Sequence, residues 1–400
     1  MKHVVVRVQR SCRVTALKDV ITAVLFLCLV TSSAIASAVD GPGRNQKVIF
    51  FHSPFWLSDG GQWLLSIQGR IFEPPETSTH TRILIDAFAP AVPARRSDKL
   101  YRERAGYFLS DSARNTTIQV TVGGQTYPLP RSDRAGYFSG LLMLSSIEGN
   151  SPASAGAISF ESVPTPENAE VFRGSASLVP EAGVTIVTDI DDTIKITHVN
   201  DRRKMKESTF LKPFEAVPGM SKLYNSWKDS LGPDTRFHAV SAGPWQFNEA
   251  LRLFTEASGF PAFTWDMRSI DIPDISTLKM ELSGEEERLA RTFDHKLQAI
   301  RKLTERFKKR HFVLVGDSGE RDPEVYAQVL SEFAGQVDAV FIRNVHNKAQ
   351  ITEQACRYRK LFPTTAARAK LYVFVEPEEL PSLPMPTQAV VPSDSTVCPK

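Results

Sequence analysis

The chain has 400 residues, 42% hydrophobic and 23% charged, which is material for a buried core and sits inside the globular range. A formal net charge of +3 is too small a bias to argue for nucleic acid. The basic cluster Lys308-Lys309-Arg310 closes a predicted helix, where cations complement the helix dipole, so no nucleic-acid partner is expected.

Residues 1–38 read as a cleavable signal peptide. Arg7, Arg10, Arg13 and Lys18 precede an apolar run from Val20 to Val30, and Ala34-Ile35-Ala36-Ser37-Ala38 offers cleavage after Ala36 or Ala38. The alternative is an uncleaved anchor, but the run falls short of the ~20 residues that a spanning helix needs. The mature chain is therefore expected to be secreted or periplasmic, with no transmembrane segment. Cys12 and Cys28 leave with the signal, and Cys356 and Cys398 remain as a possible disulfide pinning the C-terminal tail. No cysteine or histidine spacing matches a zinc site.

Residues 45–180 are predicted to form a small all-β, sandwich-like domain. Short apolar or alternating runs, such as Trp63–Ile67, Ile83–Ile85 and Ile118–Val122, are broken by Gly, Pro, Ser and Asp. The pentapeptide Arg-Ala-Gly-Tyr-Phe occurs at Arg104–Phe108 and Arg134–Phe138, and both copies read as turn-into-strand corners bent at Gly106 and Gly136.

From residue 181 to 380 strands and helices alternate. Apolar runs at Val184–Val187, Phe237–Val240, Phe312–Val315, Val340–Ile342 and Leu371–Val375 are separated by amphipathic helical patterns. That rhythm predicts an α/β domain: a parallel sheet with helices on both faces. The stretch Leu251–Thr292 is expected to be an insertion over the site, with Phe260–Trp265 either an acyl-chain entrance or ordinary packing. Residues 381–400 read as a Pro-rich tail.

Parallel sheets bind ligands beyond the carboxyl ends of their strands, and polar clusters sit there. The first strand runs into Asp189-Ile190-Asp191-Asp192-Thr193, the second ends at Ser241, and the third at Gly316-Asp317, with Asp322 close behind; Lys296 lies beside a predicted helix start. These residue types suit phosphoryl transfer. A carboxylate can attack phosphorus, a second can move protons, further acids can hold Mg²⁺, and a hydroxyl and a lysine can bind phosphoryl oxygens. Thr193 could cap a helix after the first strand or join the phosphate contacts. Asp322, before Pro323, could serve as an N-cap as well as at the metal. Asp192, His198 and His295 read as supporting or surface residues.

These ordered motifs resemble the haloacid dehalogenase-like phosphatases. More specifically, Val187–Lys195, Val240–Gln246, His295-Lys296 and Val315–Tyr326 look like the App1-type phosphatidate phosphatase catalytic domain, over roughly Val184 to Leu380. That resemblance implies Asp189 as nucleophile and Asp191 as general acid/base. It implies phosphate contacts by Ser241 and Lys296, and Mg²⁺ held by Asp189, the Asp191 backbone carbonyl and Asp317, with Asp322 at or beside the ion. A phospholipid substrate and peripheral membrane contact follow from the same likeness. One departure is Gly243, where family members usually carry Ser. Two other readings stay open: a phosphatase of the same type acting on a soluble phosphomonoester, and a secreted binding or host-interaction protein with an inactive phosphatase fold.

Overall fold

The computed structural model describes residues 41–380 apart from 93, 96, 145–155, 273–284 and 347–350, together with Leu383. The expected signal peptide, Cys398 and most of the expected tail lie outside the described residues, so the Cys356–Cys398 pairing does too. Among the described residues no helix is long and apolar enough to cross a membrane.

The upstream region is built on β1 (Lys47–Phe51), β2 (Ser53–Leu57), β3 (Trp63–Phe72), β4 (Gln119–Val122), β5 (Gln125–Pro128), β6 (Tyr137–Leu144), β7 (Ala157–Ser162) and β8 (Arg173–Leu178). They pair in the order β1-β3-β2-β8-β7-β4-β5, with β6 on the other side of β3, and every pairing is antiparallel except β2 with β8. β6 alternates buried and exposed residues along most of its length, as expected of a sheet with one face on a core.

Two helices interrupt this β region, and the sequence reading missed both. α1 (Thr79–Phe88) contains Ile83-Leu84-Ile85, which had read as an extended run. Its buried residues Thr81, Leu84, Ile85 and Phe88 recur at helical spacing, and the Ser78 hydroxyl caps it by accepting from the Thr81 N–H. α2 (Lys99–Leu109) contains the first Arg-Ala-Gly-Tyr-Phe copy, so that copy is helical and not a corner. The second copy does turn into a strand. Asp133 accepts from the N–H groups of Ala135 and Tyr137, and Gly136 has φ +79° with its α-carbon against the Ile71 carbonyl, where a side chain would collide. One pentapeptide thus takes two conformations because its neighbours differ: helix formers Lys99–Glu103 before one copy, Ser132-Asp133 before the other.

The second sheet consists of β9 (Gly183–Thr188), β10 (Arg236–Pro244), β11 (Phe263–Arg268), β12 (Arg310–Asp317), β13 (Val337–Arg343) and β14 (Leu371–Phe374), all parallel, in the order β11-β10-β9-β12-β13-β14. The chain leaves β9 to build β10 and β11 on one side, then returns to build β12 to β14 on the other. The crevice at β9 is therefore the topological switch point. Helices α3 (Arg202–Phe210), α4 (Met220–Leu231), α5 (Asn248–Ala257), α6 (Glu285–Arg306), α7 (Asp322–Glu332) and α8 (Ile351–Leu361) lie between these strands. Phe260–Trp265, which read as an acyl-chain entrance or as ordinary packing, takes the second form. Phe263 and Trp265 belong to edge strand β11, and Phe260, Phe263 and Trp265 are buried, with rings packed on Tyr224 and on one another. It is sheet core and not an acyl-chain entrance.

At the opposite end of the sheet from the strand termini, Arg310 is fully buried. It donates to the Thr185 hydroxyl at 2.8 Å and to the carbonyls of Pro180 (2.9 Å), Val184 (2.6 Å), Asp234 (2.8 Å) and Ala182. Burial, helped by nearby Arg236, lowers its pKa to about 10. Arg310→Met removes these donors from buried carbonyls, and should lower the unfolding free energy by at least ~3 kcal/mol. The expected readout is a lower urea midpoint with an unchanged slope.

Candidate active site

Register brings the strand ends together. Val315 and Ala239 both lie opposite Thr188, so Asp189 leaves β9 between β12 and β10, and its N–H donates to the Val315 carbonyl at 2.9 Å. Asp317 is the last residue of β12, and Ser241 is the sixth of the nine residues of β10. Lys296 reaches the same place from the middle of α6. It is therefore not beside a helix start, as the sequence had suggested.

Asp189, Lys296, Asp317 and Asp322 form one buried group, none more than 2% exposed. Lys296 Nζ lies 2.7 Å from Asp189 Oδ1 and 2.5 Å from Asp322 Oδ1. The other Asp322 oxygen accepts from the Asp317 N–H at 3.1 Å, an approach that requires a glycine at 316, because a β-carbon there would lie 2.4 Å from it. Asp317 Oδ1 accepts from the Gly319 N–H at 2.5 Å, while Asp317 Oδ2 is buried without a hydrogen-bond partner. Asp322 is the first residue of α7 rather than its N-cap, and Arg321 takes the cap position.

The charges of this group do not balance. Burial, then the charges of Asp322 and Asp191, push the Asp189 carboxyl well above the usual range against the pull of Lys296. Burial, then Asp322 and Asp189, raise Asp317 likewise. Burial works against a charge on Lys296, but Asp189 and Asp322 outweigh it and hold the lysine well above its ordinary value. Three carboxylates face one cation. One carboxylate oxygen from each of Asp189, Asp317 and Asp322 lies within 4.8 Å of the other two. All-oxygen donors, the unpartnered Asp317 Oδ2 and surplus negative charge together fit a hard divalent cation such as Mg²⁺.

Asp191 stands apart from that group. Its carboxylate is paired with Lys195 at 2.7 Å and accepts from the Thr197 hydroxyl at 2.6 Å. Burial alone would raise it, but Lys195 and Thr197 hold it below the usual carboxylate range. Asp192 neither faces solvent nor joins the acids: it accepts from the N–H groups of Thr197, His198 and Val199 at 2.7–2.8 Å, with φ +53°, and coils the loop behind Asp191. Thr193 does not cap a helix, since the next one begins at Arg202; its hydroxyl donates to Asp189 Oδ2 at 3.4 Å. Lys195 and Thr197 escaped the sequence reading, although the four-residue step from Asp191 to Lys195 was visible there.

Ser241 is buried, and its oxygen accepts from the Gly243 N–H at 3.0 Å. A β-carbon at Gly243 would stand 3.1 Å from that oxygen, so the glycine leaves the hydroxyl oriented by backbone alone. The loop beyond it is held by the upstream region. Trp245 stacks on Phe51, centroids 4.1 Å apart and planes within 10°, and the Tyr137 hydroxyl donates to Gln246 Oε1 at 2.8 Å. His295 lies 3.9 Å from Asp266, and burial lowers its pKa to about 4; His198 is exposed with φ +62°. Neither joins the acidic group. Arg357 fixes the loop after β12 by donating to the carbonyls of Ser318 and Glu320, each at 2.7 Å, and by pairing with Glu324.

Residues 184–344, which span all of these motifs, match the family described as phosphatidate phosphatase APP1, catalytic domain. The chain is 31% identical over 175 residues to phosphatidate phosphatase APP1 of Saccharomyces cerevisiae, covering 43% of this chain and 28% of that protein. It is 28% identical over 199 residues to an uncharacterized protein of Schizosaccharomyces pombe, covering 49% of this chain and 31% of that one. The chain thus spans under a third of the length of these relatives, and the upstream β region lies outside the matched family segment. Residues 184–344 of this chain are an App1-like catalytic domain.

Proposed function

We propose that the protein is a magnesium-dependent phosphatidate phosphatase of the haloacid dehalogenase type, forming diacylglycerol and phosphate through an aspartyl-phosphate on Asp189. The observation that carries this reading is the buried group at the switch point. One carboxylate oxygen of Asp189 is held by Lys296, and the other meets only the distant Thr193 hydroxyl among its described partners, leaving it available to attack. Phosphatidate as the substrate is supported by the family match and by the relative's printed activity.

In this reading Asp189 Oδ2 attacks phosphorus and the bond from phosphorus to the diacylglycerol oxygen breaks. That oxygen takes a proton from solvent that Asp191 relays, since Lys195 and Thr197 hold the Asp191 carboxyl below the usual range. Asp191 then takes a proton from water, which attacks the same phosphorus, releasing phosphate and restoring Asp189. Ser241 and Lys296 bind the phosphoryl oxygens, where negative charge gathers. Mg²⁺ held by Asp189, Asp317 and Asp322, with the Asp191 carbonyl as a further candidate, would neutralise the crowded carboxylates and the phosphoryl charge. Phosphatidate resides in bilayers, so the enzyme would work at a phospholipid surface after export directed by residues 1–38.

Asp189→Asn should abolish both phosphate release and an acid-stable phosphoprotein, and Asp191→Asn should lower turnover by about 10²–10⁴-fold. Wild-type turnover by either purified variant would exclude the mechanism. Phosphatidate in mixed micelles, assayed beside a panel of soluble phosphomonoesters, tests the substrate; preference for a soluble ester would move the reading to the alternative.

The metal has a test independent of turnover. Mg²⁺ at about a hundred times its dissociation constant should stabilise the wild type by ~2.7 kcal/mol. Asp317→Asn should lose this gain while melting higher than the wild type without metal, because one of three crowded carboxylates is neutralised. A full Mg²⁺-dependent shift in Asp317→Asn would contradict the assigned ligands.

A further inference from the structure

A cavity of about 190 Å³ opens beside Asp191 and Ser241, and most of its lining is apolar. Phe108, Phe210, Phe214, Phe247, Leu251 and Met267 form its hydrophobic walls. Asp189 is 2% exposed and lies outside this lining, so the cavity adjoins the proposed proton-transfer and phosphate-binding residues rather than the nucleophile.

Three of these rings come from three separate places in the chain. Phe108, on α2, stacks on Phe247 after β10, with centroids 5.6 Å apart and planes within 13°. Phe210, at the end of α3, packs edge-on against both, at 5.7 and 5.6 Å. One turn before Phe108 the buried Arg104 donates to the carbonyls of Ser208 (3.2 Å), Thr209 (2.6 Å) and Lys212 (2.7 Å) at the end of α3, and lies over the Phe214 ring at 3.7 Å. Arg104 thereby satisfies carbonyls that a helix end leaves open, from a helix outside the App1-like segment. α2 and α3 form one joined wall.

We propose that this cavity receives an acyl chain of the substrate, and that α2, through Phe108, sets the chain length accepted. The proposal rests on the phosphatidate reading. A phosphate monoester seated at Ser241 has its apolar part beside an apolar cavity that adjoins Asp191, the residue placed to relay a proton to the leaving oxygen. Each methylene buried should improve kcat/KM about three- to fourfold until the rings at residues 108, 210 and 247 stop the chain. A tail-less substrate such as glycerol 3-phosphate gains nothing from the walls.

The test uses the full chain and phosphatidates from dibutanoyl to didodecanoyl in detergent micelles, with glycerol 3-phosphate alongside. Two variants change the cavity in opposite senses: Phe108→Ala deepens it, and Met205→Trp, at a half-buried position on the α3 wall, narrows it. Thermal unfolding establishes that each variant is folded, and chain preference is read as ratios within each protein. The expected result is an optimum at longer chains in Phe108→Ala and at shorter chains in Met205→Trp. If phosphatidate is hydrolysed but the optimum is the same in all three proteins, the acyl site is overturned while the phosphatase reading stands. If the wild type hydrolyses glycerol 3-phosphate and no phosphatidate of any length, both the substrate reading and the acyl site fall.

Discussion

Three aspartates drawn to one buried lysine are the constraint around which the catalytic domain is arranged. Asp189, Asp317 and Asp322 arrive from the ends of two adjacent parallel strands and the start of a helix, and Lys296 comes up from the middle of a fourth element. No single segment could hold this group, since each charge is excluded from water and Lys296 is the counter-charge that the three carboxylates share. The sheet order places β9 next to both β10 and β12, and Gly316 lets the Asp322 carboxylate approach the turn after β12. Arg357 and Asp192 spend their hydrogen bonds holding the two loops that carry the acids. Crowding of like charge costs the fold stability, a cost characteristic of functional sites.

The upstream region is structurally continuous with this centre. Phe51 and Tyr137 seat Trp245 and Gln246, which continue the loop that begins at Ser241. Arg104 and Phe108 bind the helix that follows the Asp189 loop. The family segment begins only at residue 184, yet part of the environment of its second motif is supplied by residues before 140.

Much of the catalytic half was legible. Short unbroken apolar runs at Val184–Val187 and Phe312–Val315 are β-strands buried on both faces, and the acids fall at their ends because parallel sheets leave ligand positions there. Lys296 was found by motif but set at the wrong point of its helix, because α6 begins far upstream in a charged stretch with a weak start signal. Strand β11 carries a period-two signal, Phe263, Trp265 and Met267 alternating with polar residues, which the reading of Leu251–Thr292 as one insertion hid. Helix α1 was written in its own spacing and misread from a three-residue run. The role of Arg104 had no signal in the sequence at all. Its partners lie a hundred residues on, and an arginine inside a helix pattern reads as surface.

The stacking of Trp245 on Phe51 also bears on the order of events as the chain is made. The upstream sheet emerges first, since domains generally fold from the N-terminus during synthesis. Its aromatic face, with Phe51 and Tyr137, would then be in place before Trp245 has emerged. The loop carrying Ser241 would thus form against a finished surface rather than search for its shape alone. On this view the β-rich region acts as a template within the same chain, which gives a reason for its position ahead of the catalytic strands.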